Sequence, residues 1–161
     1  MRRLATLALI CVTPLQSAHA RSRPLTLEDL SQLREVASPE ISPDGAWVAY
    51  TVKLNDLAKD EATSDIWMTG WDGATTLRLT AGNDSEHLPR FSPDNRYLAF
   101  LSDREDELEL DQVWLMSRGG GEAQRISDLP GGVSDFAWSP DGRHLVLVGD
   151  DPDPAAVEAH A

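Results

Sequence analysis

A short motif that occurs three times is the feature that most restricts how this chain can fold. The residues Ser-Pro-Asp stand at positions 42–44, 92–94 and 139–141. The copies therefore lie roughly 50 residues apart, which is the period of a supersecondary repeat. Self-similarity at a fixed period predicts a tandem array of similar units rather than one unrepeated domain.

Other residues keep the same period. Arg78 returns as Arg125, and most aromatic residues recur at equivalent positions, with Trp71 and Phe136 outside the pattern. The recurring aromatic pairs are Trp47 and Tyr97, Tyr50 and Phe100, Trp67 and Trp114, and Phe91 and Trp138. Because aromatic side chains dominate the packing of a core, this recurrence indicates that each repeat packs in the same way.

Each repeat predicts four short strands separated by turns. In the second repeat, runs rich in β-branched, aromatic and aliphatic residues occupy 87–91, 97–102, 112–117 and 123–127. The segment Tyr97–Leu101 is apolar at consecutive positions, which is typical of a strand buried on both faces. Four-stranded repeats of this length are typical of β-propeller blades, which stack face to face. The predicted fold class is all-β, a partial β-propeller of about two and a half four-stranded blades.

The repeated motif itself predicts a hairpin turn. Proline presets φ at the second position of a type I turn, aspartate suits the third, and glycine then adopts the left-handed conformation. Asn95 takes the place of glycine in the middle copy, and asparagine tolerates that conformation better than most residues. We therefore expect a positive φ at the fourth position of each copy. The assigned turn residues are Pro43, Asp44, Gly45, Pro93, Asp94, Asn95, Pro140, Asp141 and Gly142.

The first twenty residues have the pattern of a secretory signal peptide. Arg2 and Arg3 precede a short apolar run, and Ala18 and Ala20 occupy the two positions that a signal peptidase reads. The run is too short to span a bilayer, so a buried N-terminal helix is the other interpretation. We expect cleavage after Ala20, a periplasmic or secreted location and no membrane span afterwards. The single cysteine, Cys11, would leave with this segment, so no disulfide is expected.

The predicted organisation has four parts. Residues 1–20 are the signal peptide, and residues 21–39 are an N-terminal segment with a short amphipathic helix at about 27–36. Thr26 and Asp29 form the capping box of this helix. The β-propeller occupies 40–149, with blades at 40–82 and 83–129 and a partial blade at 130–149, and residues 150–161 form a loop or tail.

Three segments carry a resemblance to a known family. Thr26–Val52, Pro89–Arg104 and Leu129–Val148 resemble the N-terminal β-propeller of prolyl oligopeptidase-type serine peptidases, in the acylaminoacyl-peptidase and dipeptidyl-aminopeptidase group. The first segment discriminates best, because TolB-like periplasmic propellers carry the Ser-Pro-Asp turn as well. The resemblance implies a propeller that gates peptide substrates and packs against a C-terminal α/β-hydrolase domain. This chain would then be truncated before the catalytic domain, and its partners would be that domain and the remaining blades.

The chain offers no catalytic residue for such an enzyme. The nucleophile elbow G-x-S-x-G is absent, and its nearest approach, Gly132-Val133-Ser134, lacks the second glycine. His87 and His144 lack metal-ligand spacing, so neither a metal nor a cofactor is expected. The acidic run Asp103–Asp111 predicts a solvated loop, with contact to a peptide amino terminus or to the missing domain as the alternative. A net charge of −13 at pH 7 disfavours nucleic acid as a partner.

Three functions stay open from the sequence. The first is the N-terminal propeller of a secreted or periplasmic serine peptidase, which gates substrates and packs against the hydrolase domain but is not catalytic alone. The second is a TolB-like periplasmic propeller fragment that acts as a protein-binding module. The third, an independently folded secreted β-protein without an enzyme relative, is disfavoured by the repeat landmarks. Peptide specificity would depend on residues outside this chain.

Overall fold

The computed structural model describes the repeats and only isolated positions before them. The described residues are 33–56, 61–105 and 108–151, with the single positions 24, 26 and 29. The predicted signal peptide, with Ala18 and Ala20, lies outside them. The described part contains ten strands: β1 (Arg34–Ile41), β2 (Trp47–Asp56), β3 (Glu61–Gly70), β4 (Thr76–Arg78), β5 (Glu86–Phe91), β6 (Tyr97–Ser102), β7 (Gln112–Ser117), β8 (Gln124–Arg125), β9 (Asp135–Trp138) and β10 (Leu145–Val148).

The ten described strands form three antiparallel sheets in chain order. The first sheet has the order β1-β2-β3-β4, the second β5-β6-β7-β8, and the third pairs β9 with β10. Equivalent aromatic residues lie at equivalent cross-strand positions, since Trp67 lies opposite Tyr50 and Trp114 opposite Phe100. The prediction of an all-β propeller array with two full blades and a partial third is confirmed.

The second sheet lies between the other two. Leu98 and Phe100 of β6 belong to a buried cluster shared with the first sheet. Ala99 and Leu101 belong to a second cluster shared with the third sheet. All four residues are at most 1% exposed, so the prediction that this strand is buried on both faces is confirmed. The three sheets therefore stack face to face through two apolar layers.

The strand β1 begins earlier than the sequence indicates. The helix predicted at 27–36 is wrong at its C-terminal end, because Arg34–Val36 pair with Val52–Leu54 of β2. The β-sheet ladder with β2 overrides the weak helical pattern of these three residues. At the other end, the Thr26 N–H donates to Asp29 Oδ2 at 2.8 Å, which is the expected capping-box contact. The remaining helix positions up to residue 32 lie outside the described residues.

The first strands of the two complete sheets share an irregularity. Ser38 in β1 and Leu88 in β5 have φ of 50° and 53°, and each precedes a proline, Pro39 or Pro89. The pairing register shifts at these same positions, so each strand contains a β-bulge. Proline has no N–H to give to a ladder, and a bulge is where a strand tolerates it. The bulge is therefore a repeated feature of the blade that the sequence pattern did not reveal.

Apolar side chains are exposed at both ends of the stack. Val36 and Ile41 lie on the face of the first sheet that points away from the second. Val146 and Val148 lie on the face of the third sheet that points away from the second. The stack therefore presents an apolar face at each end.

Among the described residues, no helix is long and apolar enough to cross a membrane.

Candidate functional site

The three Ser-Pro-Asp turns share one hydrogen-bond pattern. In each turn the serine hydroxyl donates to the aspartate Oδ1 at 2.5–2.6 Å, and the N–H two residues after the aspartate donates to the same oxygen at 3.0–3.1 Å. The fourth position has a φ of 68° at Gly45, 62° at Asn95 and 68° at Gly142. This positive φ is the conformation that the type I turn with a bulge requires. The motif thus encodes a self-contained turn.

The same hydrogen bonds keep the turn carboxyl groups ionised. The Ser42 hydroxyl and the Ala46 N–H lower the pKa of Asp44 to about 2. The equivalent serine and main-chain donors lower the pKa of Asp94 and of Asp141. Hydrogen bonds to the charged form of a carboxyl group favour that form. The turn aspartates therefore act as acceptors that organise the main chain.

Neighbouring turns also touch one another, and together we call them the turn ladder. The Asn95 Nδ2 donates to Asp44 Oδ2 of the preceding turn. Arg118 Nη1 lies 3.7 Å from the same Asp44 oxygen and donates to the Asn95 carbonyl at 3.2 Å. A Cβ added to Gly142 would lie 3.4 Å from Pro93 Cδ. Asn95 is therefore more than a substitute for glycine, because its side chain links two blades.

Charged residues connect the first strands of the sheets. Arg90 on β5 donates to Asp135 Oδ1 on β9 at 3.1 Å, and its guanidinium lies 5.8 Å from the Phe136 ring centroid. The Arg90 carbonyl accepts a hydrogen bond from Trp138 Nε1 at 3.3 Å. Burial raises the pKa of Glu40 on β1, and the charge of Arg90 partly opposes this rise. These three strands thus carry a row of charges of alternating sign.

A buried ion pair lies at the junction of the first two sheets. Arg104 Nη2 donates to Glu86 Oε1 at 2.6 Å, and the Glu86 side chain is 1% exposed. The guanidinium of Arg104 lies 4.9 Å from the Trp114 ring centroid and 5.4 Å from that of Phe100. Ser64 Oγ of the first sheet donates to the Glu86 carbonyl at 2.9 Å. Burial raises the pKa of the Glu86 carboxyl group, because the charged form is desolvated.

The two arginines that recur at equivalent positions each form an ion pair within their own blade. Arg78 Nη2 donates to both carboxylate oxygens of the buried Asp65 at 2.8 and 2.9 Å. Arg125 donates to Asp128 Oδ1 at 2.7 Å. The sequence repeat predicted equivalent positions for the two arginines, and the structure assigns both to ion pairs.

The other residues considered as candidate sites have structural contacts. His87 Nε2 lies 3.3 Å from Asp111 Oδ2, and burial raises the pKa of Asp111. Ser134 Oγ donates to the Val148 carbonyl at 3.3 Å, which ties it to the β9–β10 hairpin. His144 Nδ1 lies 3.9 Å from Asp141 Oδ1 in the third turn.

The acidic run is anchored at its two ends. Asp103 Oδ1 accepts a hydrogen bond from the Ser85 N–H at 3.0 Å, and the Asp111 carbonyl accepts one from the Val133 N–H at 2.8 Å. Residues 106 and 107 lie outside the described part. The ends of the run therefore connect to neighbouring segments of the array, and Glu105 and Glu109 between them are exposed, as the predicted solvated loop requires.

The contacts above organise and join the sheets. Among the described residues, polar side chains join neighbouring strands, neighbouring turns and neighbouring sheets. Such an arrangement can hold blades in a fixed relation and present a surface to another domain or a peptide.

Comparison with curated proteins identifies peptidases. No family model matches the chain. The chain is 38% identical over 124 residues to the uncharacterized peptidase YuxL of Bacillus subtilis, an alignment that covers 77% of the chain and 19% of that protein. It is 27% identical over 131 residues to dipeptidyl-peptidase 5 of Porphyromonas endodontalis, covering 81% of the chain and 18% of that protein. The chain thus spans about a fifth of the length of these relatives.

Comparison with solved structures identifies β-propellers. TolB from Agrobacterium tumefaciens matches with a TM-score of 0.61 and 28% identity, over 74% of this chain and 40% of that one. The acylaminoacyl peptidase of Pyrococcus horikoshii matches with a TM-score of 0.62 and 19% identity, over 75% of this chain and 18% of that one. The β-propeller domain of the trilobed protease of Pyrococcus furiosus matches with a TM-score of 0.59 and 20% identity, over 74% and 35%.

Both comparisons agree with the resemblance to peptidase propellers that the repeats and the segment Thr26–Val52 indicated. The curated relatives are peptidases, and the similar structures include propellers of a peptidase and of a protease. The resemblance to a peptidase propeller is therefore confirmed, and the chain is a β-propeller segment homologous to the peptidases YuxL and dipeptidyl-peptidase 5.

Proposed function

We propose that this chain supplies the first blades of the propeller of a secreted or periplasmic serine peptidase of the prolyl oligopeptidase family. The observation that carries the proposal is the 38% identity to a curated peptidase, over a chain whose three sheets repeat the blade pattern. In this proposal the serine, aspartate and histidine of the reaction belong to an α/β-hydrolase domain that the propeller covers. The chain itself binds and positions, and it is not catalytic alone.

The proposed contribution to the enzyme is to gate substrates. Two apolar layers, the hydrogen bond from Ser64 to the Glu86 carbonyl and the turn ladder hold adjacent blades together. Blades joined in this way resist local opening, because buried contacts must break before the sheets separate. A propeller of such blades admits short peptides to the covered domain and excludes folded proteins.

The gating proposal is tested on the complete product of the reading frame that contains this chain. Hydrolysis of chromogenic dipeptidyl and acylaminoacyl substrates is compared with cleavage of the same peptide bond inside a folded protein, with a small ester as the control for an intact hydrolase domain. We expect cleavage of the short peptides and the ester only. Equal cleavage of the short peptides and the folded protein would refute the gating role.

The proposed location has its own test. The Ala18-x-Ala20 pattern after a short apolar run supports export with cleavage after Ala20. Mass spectrometry of the exported protein should then find Arg21 at the N-terminus. Retention of residues 1–20 in the exported protein would contradict the proposed processing.

A TolB-like protein-binding module is the second candidate function. It is favoured by one observation, the 28% identity and TM-score of 0.61 to TolB from Agrobacterium tumefaciens. This function predicts stable retention of a protein partner from the envelope together with no hydrolysis of any of the test substrates. The substrate comparison above therefore separates the two candidates.

A further inference from the structure

Trp71 is an exposed tryptophan that lies outside the aromatic pattern of the repeats. It is 68% exposed on the turn between β3 and β4. The Trp71 N–H donates to the Ala46 carbonyl at 2.8 Å, and the Arg118 N–H donates to the Arg96 carbonyl at 2.9 Å. Trp71 and Arg118 therefore hold the same place in their blades, next to the end of the Ser-Pro-Asp turn.

Arg118 shows what a residue at this position contacts when a blade precedes its own. Its Nη1 lies 3.7 Å from Asp44 Oδ2 in the turn of the preceding blade. Its guanidinium lies 5.2 Å from the ring centroid of Phe91 in its own blade, and the residue is half-buried. The position thus reaches back onto the Ser-Pro-Asp turn of the preceding blade.

Glycine at the fourth position of a turn allows the preceding turn to approach closely. A Cβ added to Gly142 would lie 3.4 Å from Cδ of Pro93 in the preceding turn. The same atom added to Gly45 would have no heavy atom of the described residues within 4 Å, apart from its chain neighbours. The first turn therefore has the shape of the third, and it leaves room for a proline of a preceding turn.

We propose that Trp71 packs onto the turn between the first and second strands of the last blade of the propeller. The inference rests on the closed ring of the proposed function, in which the last blade precedes the first one. Equivalent residues of a repeat array meet equivalent neighbours, because each repeat contacts only the repeats beside it. The contact of Trp71 thus continues the turn ladder across the junction where the ring closes.

The residues of the first blade indicate an apolar contact at this junction. Between the first two sheets the link is polar, because Asn95 and Arg118 both meet Asp44. Gly45 and Trp71 hold the two equivalent positions in the first blade. An indole offers a broad apolar face and one N–H donor. We therefore expect the partner turn to give Trp71 a proline ring and a carbonyl acceptor instead of a carboxylate.

Photo-crosslinking in the complete product of the reading frame identifies the partner of Trp71. Replacement of Trp71 by p-benzoylphenylalanine places a photoreactive aromatic group there, and mass spectrometry of the digested product locates the crosslink. We expect the crosslink on the turn between the first and second strands of the last blade. Leu77 replaced in the same way is the matched control, since Leu77 is also exposed but lies opposite Met68, on the face toward the second sheet. The control should not crosslink to the last blade.

Hydroxyl-radical oxidation of the unmodified complete product gives the second readout. We expect Trp71 to be protected in the native product like Trp114, which is 4% exposed, and to be oxidised freely in urea. Oxidation of Trp71 at the same rate in the native product and in urea would overturn the proposal. A crosslink to the hydrolase domain, or to any segment other than a turn of the last blade, would overturn it as well.

Both readouts are independent of peptide hydrolysis, so the two proposals fail separately. A product that hydrolyses peptides while Trp71 is oxidised freely refutes the ring contact and leaves the peptidase assignment standing. A product that shows the expected crosslink but hydrolyses no peptide supports the ring contact and refutes the peptidase assignment.

Discussion

Replacement of Arg104 by alanine should destabilise the junction between the first two sheets more than any surface substitution. Arg104 Nη2 lies 2.6 Å from Glu86 Oε1, and the Glu86 side chain is 1% exposed. The Arg104 side chain is 22% exposed and also lies against the rings of Trp114 and Phe100. Arg104→Ala therefore removes the counter-ion of a carboxylate that cannot reach water without opening the core.

The expected loss is about 3 kcal/mol of unfolding free energy at neutral pH. Breaking a buried ion pair by removing one partner costs about 3–5 kcal/mol, and the partial exposure of Arg104 places this pair at the lower end. A single domain is stable by only about 5–15 kcal/mol, so a loss of this size moves the unfolding midpoint clearly.

The loss should depend on pH in a defined direction. Burial already raises the pKa of Glu86 above its ordinary value of 4.5, and the charge of Arg104 opposes this rise. Without Arg104 the folded-state pKa rises further, so the unfolded chain releases its proton first as the pH increases. The loss of unfolding free energy caused by Arg104→Ala is therefore small below pH 4.5. It reaches its full size above the pKa that Glu86 has in the folded variant.

Urea unfolding followed by tryptophan fluorescence at neutral and at acidic pH measures the effect. Adding Glu86→Gln to Arg104→Ala should recover part of the loss, because a neutral amide costs less to bury than an unpaired carboxylate. Arg96→Ala serves as the control, since Arg96 is exposed and should change stability by less than about 0.5 kcal/mol. Equal losses for Arg104→Ala at both pH values, or a loss below about 1 kcal/mol at neutral pH, would show that Arg104 does not neutralise the buried Glu86 carboxylate.

Three further predictions concern the turn ladder. Gly142→Val should lower stability by about 1 kcal/mol or more in thermal unfolding, because φ is 68° there and a Cβ would lie 3.4 Å from Pro93 Cδ. The turn pattern alone predicts that Asn95→Gly is neutral or mildly stabilising. Because the substitution removes the hydrogen bond to Asp44, we expect it to lower the unfolding free energy by about 0.5 kcal/mol, and a double-mutant cycle with Asp44→Ala measures that coupling. Acid titration followed by circular dichroism should show a loss of stability as the pH falls from 3.8 toward about 2, because the folded-state pKa of Asp44 is depressed. Asp44→Asn should remove this part of the titration.

The repeat pattern predicted the strands well where one strand is buried on both faces. The predicted segments 97–102 and 112–117 coincide with β6 and β7. Consecutive apolar residues in β6 leave neither face of the strand suited to solvent, so the run itself indicates a strand buried on both faces. The turns were equally readable, because Pro, Asp and Gly each restrict the main chain locally.

Contacts between residues distant in the sequence were not readable from it. Within the second blade, the Glu86–Arg104 pair requires Glu86 to lie opposite Ser102, and Arg104 to fold back from the end of β6. The side-chain contact of Asn95 with Asp44 depends on how two sheets stack. The C-terminal end of the predicted helix was wrong because Arg34–Val36 find a partner strand, and tertiary pairing overrides a local helical pattern. Local rules describe the turns and strands, whereas strand pairing and the stacking of blades set these contacts.

Labelling the complete product of the reading frame with a serine-directed phosphonate tests whether this chain is part of a peptidase propeller. We expect one labelled serine, located outside residues 1–161, together with loss of peptide hydrolysis, and no label on this chain expressed alone. Ser134, whose hydroxyl donates to the Val148 carbonyl, should stay unlabelled in both samples. A labelled serine within residues 33–151, or a complete product that neither takes the label nor hydrolyses peptides, would contradict the assignment of this chain to a peptidase propeller.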